Sequence, residues 1–200
     1  MINFRSLNRA TGPSVEPLTL AEVKQHCRVD ISDDDAYLES LVTAAREYCE
    51  DYLDRTLVHT QWRMRLDGFP YEIELPRPPM ASSGTTTAVS ITYTANESGA
   101  TVVLPSTEYR VDRDATPGAM RTLYGGSWPS HLLDQNSVTV LWWGGYGADG
   151  SSVPRPIRHA MLMLIGAWYE RRQAADSAAA TEIPFGVRAL LDSARWGSYQ

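Results

Sequence analysis

Trp62-Arg63-Met64-Arg65-Leu66 alternates apolar and basic residues, so a strand here would have one oily face and one charged face. A period of two is the signature of a strand with one side buried. The same texture extends outward, from Leu57 to Trp143. Ile73 and Leu75 alternate with glutamates, Val89, Ile91 and Tyr93 share one face, and Val138, Val140 and Trp142 share another. Asp67-Gly68, Pro76 to Pro79, Ser98-Gly99, Pro117-Gly118 and Gly125-Gly126 punctuate these runs as turns. About six or seven antiparallel strands fit.

Helical periodicity flanks this module on both sides. Before it, Thr19 to Glu22 has the form of a capping box, and Leu20, Val23 and Cys27 follow at helical spacing. Asp30 to Asp35 interrupts that pattern and supplies a second start, with acids at the positive end of the helix dipole. Leu38, Leu41, Val42, Ala45, Cys49, Tyr52 and Leu53 then form one apolar stripe, and this helix should run to about Asp54. After the module, Ile157, Met161, Leu164, Ile165 and Trp168 lie on one face of a helix ending near Gln173, with Pro156 tolerated in its first turn. Phe185 to Arg195 reads as a last short helix. The expected fold is α+β: a small helical bundle, two helices from each end of the chain, with an inserted antiparallel β-module. The expected segments are a flexible arm (1–17), the N-terminal helices (18–56), the β-module (57–150), the C-terminal helix and a loop (151–184), and a C-terminal segment (185–200).

The chain has 200 residues, 43% of them hydrophobic and 21% charged, as in a folded soluble domain. Its 18 Lys and Arg face 24 Asp and Glu, a net charge of −6. That balance argues against a sequence-independent clamp on nucleic acid, which needs a basic surface to displace counterions. Cys27 and Cys49 make no disulfide framework. The longest apolar run, Ala160 to Tyr169, is far short of a membrane span, and the first residues lack a secretory signal, so a cytoplasmic compartment is expected.

Tests for catalytic chemistry yield little. Gly145-Tyr-Gly-Ala-Asp-Gly150 matches the G-x-G-x-x-G string, but a dinucleotide site needs the helix to open at the glycines and a parallel strand after it. Here Ser151 to Pro156 intervenes, and the plain reading is a β-to-α connection. His26, His59, His131 and His159 are scattered, with no pair at metal-binding spacing. The adjacent His26 and Cys27 point to different helix faces. The carboxylates Asp33, Asp34, Asp35, Glu39, Glu47, Glu50, Asp51 and Asp54 read as a solvated helix face. Trp128, Trp142, Trp143, Tyr146, Trp168, Tyr169, Trp196 and Tyr199 read as core or interface packing. No catalytic, cofactor or metal residue is assigned.

Three stretches together resemble the head–tail connector, or adaptor, proteins of long-tailed phages and related gene transfer particles. The first is Leu18-Thr-Leu-Ala-Glu-Val-Lys24 with Arg28-Val-Asp30, Asp34-Asp35, Leu38, Leu41, Ala44-Ala45 and Arg55-Thr-Leu57. The second places Pro79, Val89, Ser90-Ile91 and Tyr93 before Tyr109-Arg-Val-Asp112 and Trp128-Pro129. The third is Gly145-Tyr-Gly147, Val153-Pro154, Ile157, Ala160 and Trp168-Tyr-Glu-Arg-Arg172. The resemblance implies a non-enzymatic virion protein of the neck, assembled in the host cytoplasm as a homo-oligomeric ring of about twelve. The implied partners are a portal protein on one side and a stopper or tail-completion protein on the other. Double-stranded DNA would pass through without specific binding, and no cofactor or membrane is involved. A closed head-to-tail ring needs two complementary faces per subunit. Asp51 and Asp54 against Arg155, Arg158, Arg171 and Arg172 are the expected pair. Phe185, Trp196 and Tyr199 are the expected portal contacts. Two other readings use the same residues: a protein- or carbohydrate-binding β-module outside any virus, and an enzyme built on the Gly145 loop or the acidic cluster.

Overall fold

The computed structural model describes residues 4–81, 89–171 and 185–195. It divides into two compact units, residues 1–14 with 59–147 and residues 15–58 with 148–200. The order is β1 (Ser6–Thr11), α1 (Leu20–Cys27), α2 (Asp35–Leu53), β2 (Thr60–Leu66), β3 (Ile73–Leu75), β4 (Ser90–Thr94), β5 (Thr101–Leu104), β6 (Tyr109–Asp112), β7 (Gly118–Thr122), β8 (Val138–Gly144), α3 (Arg155–Glu170) and α4 (Phe185–Asp192). The α+β class and the helix–strands–helix order match the expectation. Among the described residues, seven strands lie between Leu57 and Gly150.

The first unit is a β-sandwich. One sheet runs β1-β2-β8-β4-β5 and the other β3-β7-β6, with every pairing antiparallel. The alternation read from Trp62, Met64 and Leu66 places all three inward, in register with Trp142, Val140 and Val138. Ile73, Leu75 and Met120 meet them from the second sheet, and Ile91, Leu104 and Tyr109 complete the core. Each such side chain, taken from water, contributes roughly 1.5–3 kcal/mol.

Within the expected arm, residues 1–17, lies one strand that the sequence does not signal. Ser6 to Thr11 forms an edge strand whose residues pair with β2 from Arg65 to Gln61. Asn8, Ala10 and Thr11 are exposed and Leu7 packs against the sandwich core, so no apolar stripe marks the strand, and its backbone hydrogen bonds to β2 hold most of it.

The second unit is the helical bundle. The capping box on α1 is complete: Thr19 Oγ1 accepts from the Glu22 backbone N–H, and the Glu22 carboxylate accepts from the Thr19 N–H at 2.8 Å. The helices α1 and α2 end on Arg28 and Asp54, both left-handed, whose backbone N–H groups return to Lys24 and Glu50. A left-handed residue other than glycine costs about 1–2 kcal/mol. Leu38, Leu41, Val42, Ala45, Cys49 and Leu53 of α2 are buried, as are Ile157, Ala160, Met161, Leu164 and Ile165 of α3. Val187 and Leu191 bury α4 as well. The helix α3 starts after Pro154 and ends at Glu170, a turn short of the expected Gln173.

Candidate assembly surfaces

Charge in the helical unit is largely spent inside it. Arg46, 3% exposed, donates from Nε to Glu16 at 2.8 Å and from Nη1 to Glu50 at 3.0 Å. Glu50, 1% exposed, uses its other oxygen to accept from the Leu57 backbone N–H. Glu16 also accepts from Thr43 Oγ1. Burial works against the Arg46 charge, but the hydrogen bond it donates to Glu16 and the carboxylates of Glu16, Glu50 and Glu47 outweigh it and hold its pKa above the ordinary value. A buried charge is stable only when paired and hydrogen-bonded in this way.

This network corrects the reading of the α2 carboxylates as one solvated face. Glu50 is core. Asp35 receives Lys24 Nζ at 2.6 Å, and Asp34 accepts from the Tyr169 hydroxyl at 2.6 Å. The sequence carries a signal for Arg46 and Glu50, an opposite-charge pair four residues apart flanking the apolar stripe.

The expected interface residues separate into two classes. Asp51 and Asp54 are exposed at the end of α2, Arg155 is exposed at the start of α3, and Arg171 is exposed at its end. Arg158 differs. It is half-buried, donates from Nε to the Pro17 carbonyl at 3.0 Å, and pairs through Nη2 with Glu22. Within its own subunit it pins the entry to α1. Glu22 in turn is held below the usual carboxylate range, chiefly by the Thr19 backbone hydrogen bond, with Arg158 adding to it. Arg172, Trp196 and Tyr199 lie outside the described residues. Phe185 opens α4, and α4 is fastened to the bundle: Tyr52 Oη donates to Asp192 at 2.7 Å and Arg55 Nε to the Ala194 carbonyl at 2.8 Å.

The tested catalytic strings resolve into structure. Gly145 has φ +122, a turn that favours glycine. A Cβ on Gly150 would lie 2.5 Å from the Glu16 carbonyl oxygen, so this glycine serves close packing. The strand before the loop, β8, is antiparallel to both neighbours, and α3 opens only at Arg155, so the dinucleotide geometry is not formed. Cys49 is buried and its thiol is pushed up to about 12 by desolvation, with Glu50 adding to it. The Cys27 thiol is also raised, first by burial and then by Glu170. Raised thiols are poor nucleophiles at neutral pH. Among the described residues no group of three His, Cys, Asp or Glu could hold a metal ion. No helix among them is long and apolar enough to cross a membrane.

Residues 17–98, from the start of the bundle to just past β4, match the family described as phage gp6-like head–tail connector proteins. The chain resembles the phage head–tail connectors. Solved structures share the fold over nearly the whole chain. A chain in the neck of an empty gene transfer agent particle, computed with C6 symmetry, is 24% identical with a TM-score of 0.74, covering 95% of each chain. A chain of the virion of a native gene transfer agent particle is 25% identical with a TM-score of 0.75, covering 94% of each. A chain in the neck of a native particle, computed with C12 symmetry, is 24% identical with a TM-score of 0.71, covering 95% of this chain and 94% of that one. No curated protein matches the sequence. The likeness in fold thus covers both the bundle and the inserted sandwich.

Proposed function

We propose that this chain is a structural head–tail connector, not an enzyme, and that about twelve copies form a ring in the neck of a phage or gene transfer particle. The observation that carries this reading is the end-to-end likeness to neck chains, one of them in a C12 assembly, together with the connector match over residues 17–98. In this reading the ring joins a portal protein to a stopper or tail-completion protein, and double-stranded DNA passes through its centre. The net charge of −6 suits a conduit that must not hold phosphate.

Neighbouring subunits would meet through different faces, with exposed Asp51 and Asp54 of one copy toward exposed Arg155 and Arg171 of the next and Arg172 added from sequence. The portal contact is assigned to the chain end, with Trp196 and Tyr199 following the bundle-bound α4 that Phe185 begins. Cryo-electron microscopy of the particle neck is the decisive experiment. A ring of this chain between head and tail is expected, and a neck without it would overturn the reading. Reversing Arg155 and Arg171 to glutamate should lower incorporation into necks. Unchanged incorporation would remove these residues from the interface.

A further inference from the structure

The outer face of the β3-β7-β6 sheet carries a feature that the connector reading does not use. Ile73, Leu75 and Met120 point into the sandwich core. By strand alternation the opposite face presents Glu74, Ala119, Arg121, Arg110 and Asp112. The register sets Arg110 directly across from Arg121, and Ala119 between Glu74 and Asp112. Ala119 is the small residue of the floor, and the longer side chains around it enclose a cleft of about 540 Å³. That volume falls among small-molecule sites, about 300–1,000 Å³.

Two tyrosines stand beside it. Tyr124 lines the cleft and is fully exposed, and Tyr71 is 84% exposed with the Arg121 guanidinium 5.4 Å from its ring centre. Arg121 pairs with Glu72. Arg110 and Glu74 have no side-chain partner among the described residues. Like charges directly opposite on a sheet are unfavourable, and of this pair Arg121 is offset by Glu72 while Arg110 is left to bind.

The chemistry of the lining selects the ligand. Three carboxylates against two guanidiniums nearly cancel, which favours neither a polyanion nor a polycation. A protein partner seated here would strip water from five ionisable groups, at several kcal/mol each before compensation. A polyhydroxylated ligand replaces those water hydrogen bonds one for one, because paired oxygens and paired N–H groups match neighbouring hydroxyls. The exposed tyrosine faces offer flat apolar surface to the C–H side of a sugar ring. We propose that this cleft is a binding site for a neutral oligosaccharide, with Glu74, Arg110 and the second oxygen of Asp112, whose Oδ1 accepts from the Asp114 and Ala115 backbone N–H groups, addressing hydroxyls and Tyr124 and Tyr71 stacking on the rings. The site lies within the β-unit and does not depend on the connector reading.

The test uses the purified full chain on an array of neutral bacterial and plant glycans. Titrations by ¹⁵N-resolved NMR follow, with cellotetraose, maltotetraose, chitotetraose and, as a control, tetra-alanine. Saturable binding of a neutral glycan is expected, with shifts grouped at residues 71–74, 110–112 and 119–124. Y124A and E74A should each weaken it about tenfold, the loss of about 1.4 kcal/mol. Y124F should retain most of it, because the ring and not the hydroxyl makes the contact. Melting curves of the variants guard against misfolding. No glycan bound on the array, binding that survives Y124A and E74A, or a preference for the peptide would each overturn the proposal.

Discussion

In the helical unit Arg46 is buried and answered by Glu16 and Glu50, whereas in the β-unit Arg110 stands exposed across from Arg121. The first arrangement fastens three chain segments: the entry at Glu16, the middle of α2 and the turn at Leu57. In the second, Arg121 pairs with Glu72, while Arg110 has no side-chain partner among the described residues. Ionisable groups that hold a fold are enclosed and matched, while groups held for a ligand or partner stay wet and incompletely matched. The same division separates Arg158, bound to Glu22 and Pro17, from the exposed Arg155 one turn earlier on α3.

Four substitutions, from the largest effect down, break or sharpen this contrast. R46A strands the buried Glu50 and should cost about 3–5 kcal/mol in urea unfolding; a loss below about 1 kcal/mol would mean that water already reaches the network. M120A empties part of the sandwich core without touching charge, and a loss of about 2–5 kcal/mol is expected by the same measurement. T19A removes the α1 cap at a cost of about 1 kcal/mol. Y124A should leave stability within about 0.5 kcal/mol while removing glycan binding, since an exposed ring supports no core.

One further check uses pH. Glu22 has its carboxyl held below the ordinary value for a glutamate, so its contribution is present above that ordinary value and lost as pH falls through the lowered folded pKa. Stability of the unaltered chain should therefore drop on acidification below about 4.5, and E22Q should flatten that part of the profile. An identical acid profile in E22Q would show that other carboxylates carry the effect.

Legibility in the sequence followed the kind of force involved. Trp62, Met64 and Leu66 announced a strand because burial on one face imposes a period of two. Thr19 and Glu22 announced a helix start because the cap is local, three residues wide. The strand at Ser6 to Thr11 gave no such sign. It is an edge strand, and its pairing with β2 lies in backbone groups that every residue possesses. Glu50 was misplaced because its buried partner Arg46 and its backbone donor Leu57 become neighbours only when the helix and the following turn are in place.

The amino-acid order alone thus determined the class, the insertion of strands between helices, the caps and most of the core, because these depend on periodicity and on contacts a few residues apart. The tertiary structure alone decided which arginines were consumed and which were left exposed. It also placed Glu72, Glu74, Arg110, Asp112, Arg121 and Tyr124 around one cleft from three strands and their turns. The physical reason is that charge pairing depends on distance through space, and strand register, which sets those distances, joins residues about fifty positions apart.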